Sequence, residues 1–107
     1  MRSNKLNNSH IVAQFKLEVC FQLTNRAFFL CGEIIAGEFT RGQFIDLTHT
    51  GIEKQFRIDE IEFIRKNKNG EVKEITALGI REFSDEEKEY LKQIHKFDTP
   101  LNIFKQK

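Results

Sequence analysis

"GEIIAGEFTRGQFIDL", residues 32–47, places Gly32, Gly37 and Gly42 five apart inside apolar, strand-like sequence. Glycine weakens a strand interior, because it adds backbone entropy to be lost and brings no side chain to pack. Its recurrence here calls for a geometric reason. Gly37 and Gly42 bracket Glu38-Phe39-Thr40-Arg41. One can end a strand, and the other can open the next after a tight connection. Gly32 sits within an apolar run, where glycine marks a bend or the close approach of another backbone. The spacing reads as bent strand, turn, strand, which is how a small barrel turns its corners.

On the N-terminal side, Phe15, Leu17, Val19, Phe21 and Leu23 alternate with Lys16, Glu18, Cys20, Gln22 and Thr24. That is the pattern of a half-buried strand. Asn25-Arg26 offers a turn. "AFFLCGEIIA", residues 27–36, is nearly continuous apolar and predicts a strand covered on most of its length, or one with both faces in use. Phe28 and Phe29 must then point to opposite faces. One ring enters the interior, and the other must be covered by a helical stripe of Tyr90, Leu91, Ile94 and Phe97, by the N-terminal tail or by a partner; the helical stripe is the expected cover.

On the C-terminal side, "FIDLT", 44–48, predicts a short strand, and "HTGIE", 49–53, a loop. In "KQFRIDEIEFIRK", 54–66, Phe56 and Ile58 share one parity and Ile61 and Phe63 the other, so a bulge is expected at Asp59-Glu60. "NKNG", 67–70, is a hairpin connection with Gly70 available for positive φ. "EVKEITALGIR", 71–81, returns as a strand. The period then changes. Ser84 and Glu87 form a capping box, and a helix is expected over 84–97. Pro100 stops it, and "LNIFK", 101–105, can be a closing strand. The result is about six strands and one helix in a single domain, residues 10–107, behind a loose tail, residues 1–9. The interior is expected to include Phe15, Leu17, Val19, Phe21, Ile45, Leu47, Ile61 and Phe63.

"NRAFFLCGEIIAGEFTRGQFIDL", 25–47, resembles the second domain of elongation factor Tu and related translational GTPases. That family carries a G-x-V-x-x-G-x-[hydrophobic]-x-x-G stretch, matched in glycine spacing by Gly32, Gly37 and Gly42. Ile34 stands for its valine and Phe39 for its hydrophobic position. "IEFIRK", 61–66, and "EVKEITALGIREF", 71–83, are similar to later segments of the same domain. The resemblance covers roughly residues 14–83 and implies a small, closed, six-stranded antiparallel β-barrel. It departs from the family at Asn25-Arg26-Ala27, where a glycine-rich turn is common, and in the added helix. It also implies a binding surface for protein or RNA. It does not carry GTP hydrolysis, because G-x-x-x-x-G-K-[ST], the phosphate cradle, is not found in the sequence.

Composition narrows the function. Of 107 residues, 17 are basic and 16 acidic, and a net charge of +1 gives no general attraction to nucleic acid or to an anionic membrane. Eleven Phe against one Tyr and no Trp point to rings placed for packing. Cys20 and Cys31 lie in apolar runs and read as reduced, buried thiols of a cytoplasmic protein. His10, His49 and His95 have no metal-ligand spacing around them. Neither catalytic residues nor a cofactor is expected. Lys54, Arg57, Arg65, Lys66 and Lys68 are the candidate partner-binding residues, as a modest anion-binding patch interrupted by Asp59, Glu60 and Glu62. The reading is a non-catalytic binding module for a protein or RNA. The alternative is an inhibitor or immunity-type protein that neutralises a toxin by occlusion.

Overall fold

A computed structural model describes residues 11–23 and 25–106, the side chains of Lys66 and Lys68 excepted. The expected tail, residues 1–9, lies outside the described residues, as does His10. Seven strands form one antiparallel sheet: β1 (Ile11–Gln22), β2 (Phe28–Gly37), β3 (Phe44–Asp46), β4 (Gln55–Arg57), β5 (Glu60–Lys68), β6 (Glu71–Ile80) and β7 (Leu101–Phe104). Their order across the sheet is β4-β3-β7-β1-β2-β6-β5. The sheet is strongly curled but open, which corrects the expectation of a closed six-stranded barrel.

The extra strand and the open edge have one cause. The segment 54–66, expected as one strand with a bulge, breaks after Arg57. Before the break it pairs with β3: Gly42 N–H donates to Ile58 O, and Ile58 N–H to Gln43 O, each at 2.8 Å. After the break, Asp59 N–H donates to Gly79 O at 2.8 Å and the chain continues as β5 beside β6. The parity change between Ile58 and Ile61 therefore marks a change of partner strand. β4 and β5 end up as opposite edges of the sheet, joined by a covalent corner. Beyond Gly32↔Thr76, β6 no longer pairs with β2. The β5–β6 hairpin projects from there and turns on Asn69 and Gly70, at φ 54° and 84°, the two positive-φ positions of a two-residue hairpin loop.

The glycines hold the curl. Two register shifts interrupt the β1–β2 ladder, between Gln14 and Phe15 and between Leu17 and Val19. At these places β1 crosses close over β2. A Cβ on Gly32 would stand 1.9 Å from Lys16 O, and one on Gly37 2.1 Å from Val12 O. Gly37 also has φ +80°, and Gly42, which opens the turn into β3, has φ +90°.

The second shift makes Glu18 an extra residue on β1 and reverses the parity beyond it. Phe15 and Leu17 are fully buried inside the curl, but Cys20 takes the next inward place. Val19 is 39% exposed, and Phe21 packs on the opposite face. The uninterrupted alternation from Phe15 to Leu23 conceals this bulge. Ile45 and Leu47 are buried as expected; Ile61 packs partly against the core, and Phe63, on the projecting hairpin, is 61% exposed. Phe28 fills the inner core against Phe83, with ring centroids 5.5 Å apart, and Phe83 meets Phe56 at 4.5 Å with the rings tilted.

The helix α1 is shorter than expected, Asp85–Lys92. Its capping box is complete: Glu87 N–H donates to Ser84 Oγ at 3.1 Å, and Ser84 N–H to Glu87 Oε1 at 2.9 Å. Past Gln93 the chain reverses at Lys96, φ 52°. Lys96 N–H donates to Glu18 O and Phe97 N–H to Leu17 O, each at 2.8 Å, so this loop caps carbonyls at the β1 bulge. Leu91, with Ile94 and Phe97 from the loop, closes the inner core. Ser84→Ala should cost about 1 kcal/mol of stability through the lost cap, measurable by urea denaturation.

Glu87 also receives Lys54 Nζ at 2.8 Å. Partial burial works to raise its pKa, but the bonds from Lys54 and Ser84 outweigh this and hold the carboxyl below its ordinary 4.5. A depressed folded-state pKa gives stability that is present above 4.5 and is lost as pH falls through the lower folded value. Glu87→Gln should therefore melt below the parent at neutral pH, and the gap should close on acidification.

Candidate interaction surface

Side chains that could carry chemistry are dispersed. His49 is exposed on the short helical turn Thr48–Thr50, and His95 is exposed in the loop after α1. Among the described residues no group of three His, Cys, Asp or Glu could hold a metal ion. Burial, with Cys31 nearby as a smaller influence, pushes the Cys20 thiol up to about 12. It therefore stays protonated at neutral pH and is no nucleophile. Among the described residues no helix is long and apolar enough to cross a membrane.

The candidate basic residues do not gather into one patch. Lys54 is tied to Glu87 at 2.8 Å, and Arg57 to Asp59 at 3.0 Å. Both sit at the β4 edge. Arg65 is exposed on β5, at the other edge. The side chains of Lys66 and Lys68 lie outside what is described. At the corner between the edges, a shallow cleft of about 400 Å³ is lined by Phe44, Arg57, Asp59, Arg81 and Glu82. Its carboxylates are already engaged: Asp59 accepts from Arg57 Nε and Arg81 N–H, and Glu82 from Arg57 N–H.

The second apolar face expected from Phe28-Phe29 is present, but its expected cover is not. Phe29, the second ring of the Phe28-Phe29 pair, is not under the helix; α1 packs on the concave side. Phe29 instead forms a small outer cluster with Ala27, Cys31 and Ala77, flanked by Phe21 and Ile75. Phe21 and Phe29 stand 6.0 Å apart. The guanidinium of Arg26 lies 5.2 Å from the Phe29 centroid and pairs with Glu60 at 3.0 Å and with Glu62. This cation–π contact, on a ring that is itself buried, helps hold Arg26 at the margin. The apolar face continues outward through Val19, opposite Cys31, and Ile64, opposite Ile75, which are 39% and 37% exposed. The signal available in sequence was the double apolar parity of 27–36. It calls for cover on two faces, and the described helix lies on only one.

Comparison of the chain with protein-family models, with characterised proteins and with solved structures finds no match to any of them.

Proposed function

We propose that the chain is a non-catalytic binding module that takes a protein partner on the outer face of β1, β2, β6 and β5. The observation that carries this reading is the outer cluster itself: buried Phe29, Cys31 and Ala77 surrounded by partly covered Phe21 and Ile75 and exposed Val19 and Ile64. A sheet face with an apolar centre and a charged margin has the layout of a protein interface. At this margin Arg26 and Arg81 are paired with Glu60 and Glu62, which favours protein over RNA, because arginines so neutralised offer little attraction to a phosphate backbone. The resemblance to the elongation factor Tu barrel, where such a domain serves as a binding surface, supports the same class of role.

The test compares affinity capture from cell extract by the parent with capture by Val19→Glu and by Ile75→Lys. A protein recovered in stoichiometric amount with the parent and lost by about tenfold or more with both variants, as expected for apolar interface positions turned charged, supports the reading. Recovery of RNA, or equal recovery by all three chains, overturns it.

A further inference from the structure

β5 hydrogen-bonds to β6 on one side and stands at the edge of the sheet on the other. Among the described residues no strand pairs with that second side, and nine residues of strand edge, about 30 Å long, are a template for another strand. The order of charges along this edge is self-complementary. Glu60 and Glu62 occupy its first half, and Arg65, Lys66 and Lys68 its second. An antiparallel copy related by a two-fold axis through Ile64 sets Glu60 opposite Lys68, Glu62 opposite Lys66, Phe63 opposite Arg65, and Ile64 opposite its own copy. Directly opposed side chains of unlike charge stabilise a sheet and like charges oppose it. An axis at Glu62 opposes two carboxylates, and an axis at Arg65 opposes two guanidinium groups. An axis at Phe63 leaves Glu62 facing Ile64. Only the axis at Ile64 matches both acids with bases.

We propose that two copies of this chain pair through the free edges of β5, as an antiparallel two-fold continuation of the sheet centred on Ile64. Two further features fit. Ile64 and Phe63 are 37% and 61% exposed, and the pairing covers them. A groove of about 390 Å³ runs along Glu60–Phe63, walled on its far side by Phe39, Thr40 and Arg41. That is where the second half of the partner strand would lie. This pairing goes beyond the outer-face reading; the two share Ile64, Glu60 and Glu62, but the pairing is tested by the mass of the chain alone and the outer-face reading by capture with Val19 and Ile75 variants, so either can fail without the other.

Sedimentation of the intact chain over a concentration series up to roughly 1 mM, where even a weak interface is populated, gives the first readout. The mass should rise from 12.6 kDa towards twice that value. Glu62→Lys alone and Lys66→Glu alone should each stay monomeric, since each sets like charges opposite one another. Mixing the two variants should restore a dimer, because every acid again faces a base. Ile64→Lys, at a partly exposed site, should stay folded by circular dichroism yet monomeric. A parent that is monomeric throughout, single variants that dimerise like the parent, a mixture that does not recover, or a dimeric Ile64→Lys each overturn the proposal.

Discussion

Gly32→Ala is expected to lose about 3 kcal/mol of stability or more, the scale of a forced overpacking in a closed core. The added methyl would stand 1.9 Å from Lys16 O and 2.9 Å from Lys16 C. Those atoms belong to backbone in the middle of a buried strand, so no rotamer change relieves the contact. Gly37→Ala meets Val12 O at 2.1 Å and must also hold φ at +80°, so it should be at least as damaging. Gly42→Ala is the control. It shares the positive φ, at +90°, but meets nothing within 4 Å, so it should cost only about 1 kcal/mol from backbone strain. Denaturant midpoints of the three variants decide the matter. Equal losses at Gly32 and Gly42 would show that close approach of β1 to β2 is not what the glycines serve.

The second large effect is expected at Phe28. It is 1% exposed and packs edge-on against Phe83 at 5.5 Å. Phe28→Ala should cost about 3–5 kcal/mol, through lost burial and the cavity left behind. A typical domain has about 5–15 kcal/mol to lose, so this variant should be partly unfolded at physiological temperature. Phe63→Ala should change stability by no more than about 0.5 kcal/mol, the range of an ordinary surface substitution. Sequence alternation assigns Phe63 to the interior, and its 61% exposure denies it that place. Calorimetric melting of the pair separates the two assignments. A large loss at Phe63 would mean that its ring is buried after all.

Local chemistry was the legible part of the sequence. Ser84 and Glu87 announce the start of α1 because a capping box is formed by residues three apart, with no help from the rest of the fold. Asn69-Gly70 announces the hairpin for the same reason, and the glycine spacing announces a bent β1–β2 pair. The parity change between Ile58 and Ile61 was visible too. Whether it meant a bulge in one ladder or a transfer between two ladders depends on Gln43 and Gly79, which are remote in sequence. The bulge at Glu18 left no trace, because Val19, Phe21 and Leu23 are apolar and extend the alternation past it. Val19 and Phe21 belong to the outer face. The partners of Lys54 and Arg57 were unreadable for a similar reason. Glu87 lies 33 residues from Lys54, and Asp59 could be read as interrupting a basic run as easily as neutralising it.

The place of β7 has a consequence for how the chain is made. Leu101–Phe104 is inserted between β1 and β3, pairing Phe15 with Leu101 on one side and Ile45 with Ile103 on the other. During synthesis, β1, β2, β6 and β5 can assemble as soon as Ile80 has left the ribosome, and the β3–β4 hairpin can form alone. Beyond the corner at Ile58-Asp59, the two parts cannot pair as one sheet until β7 emerges. Until then both present bare, apolar strand edges to their surroundings, an invitation to aggregation. Residues 101–104 thus act as the clasp of a sheet that is otherwise finished early. A nascent chain stalled before Leu101 is the species on which a chaperone would be expected to act.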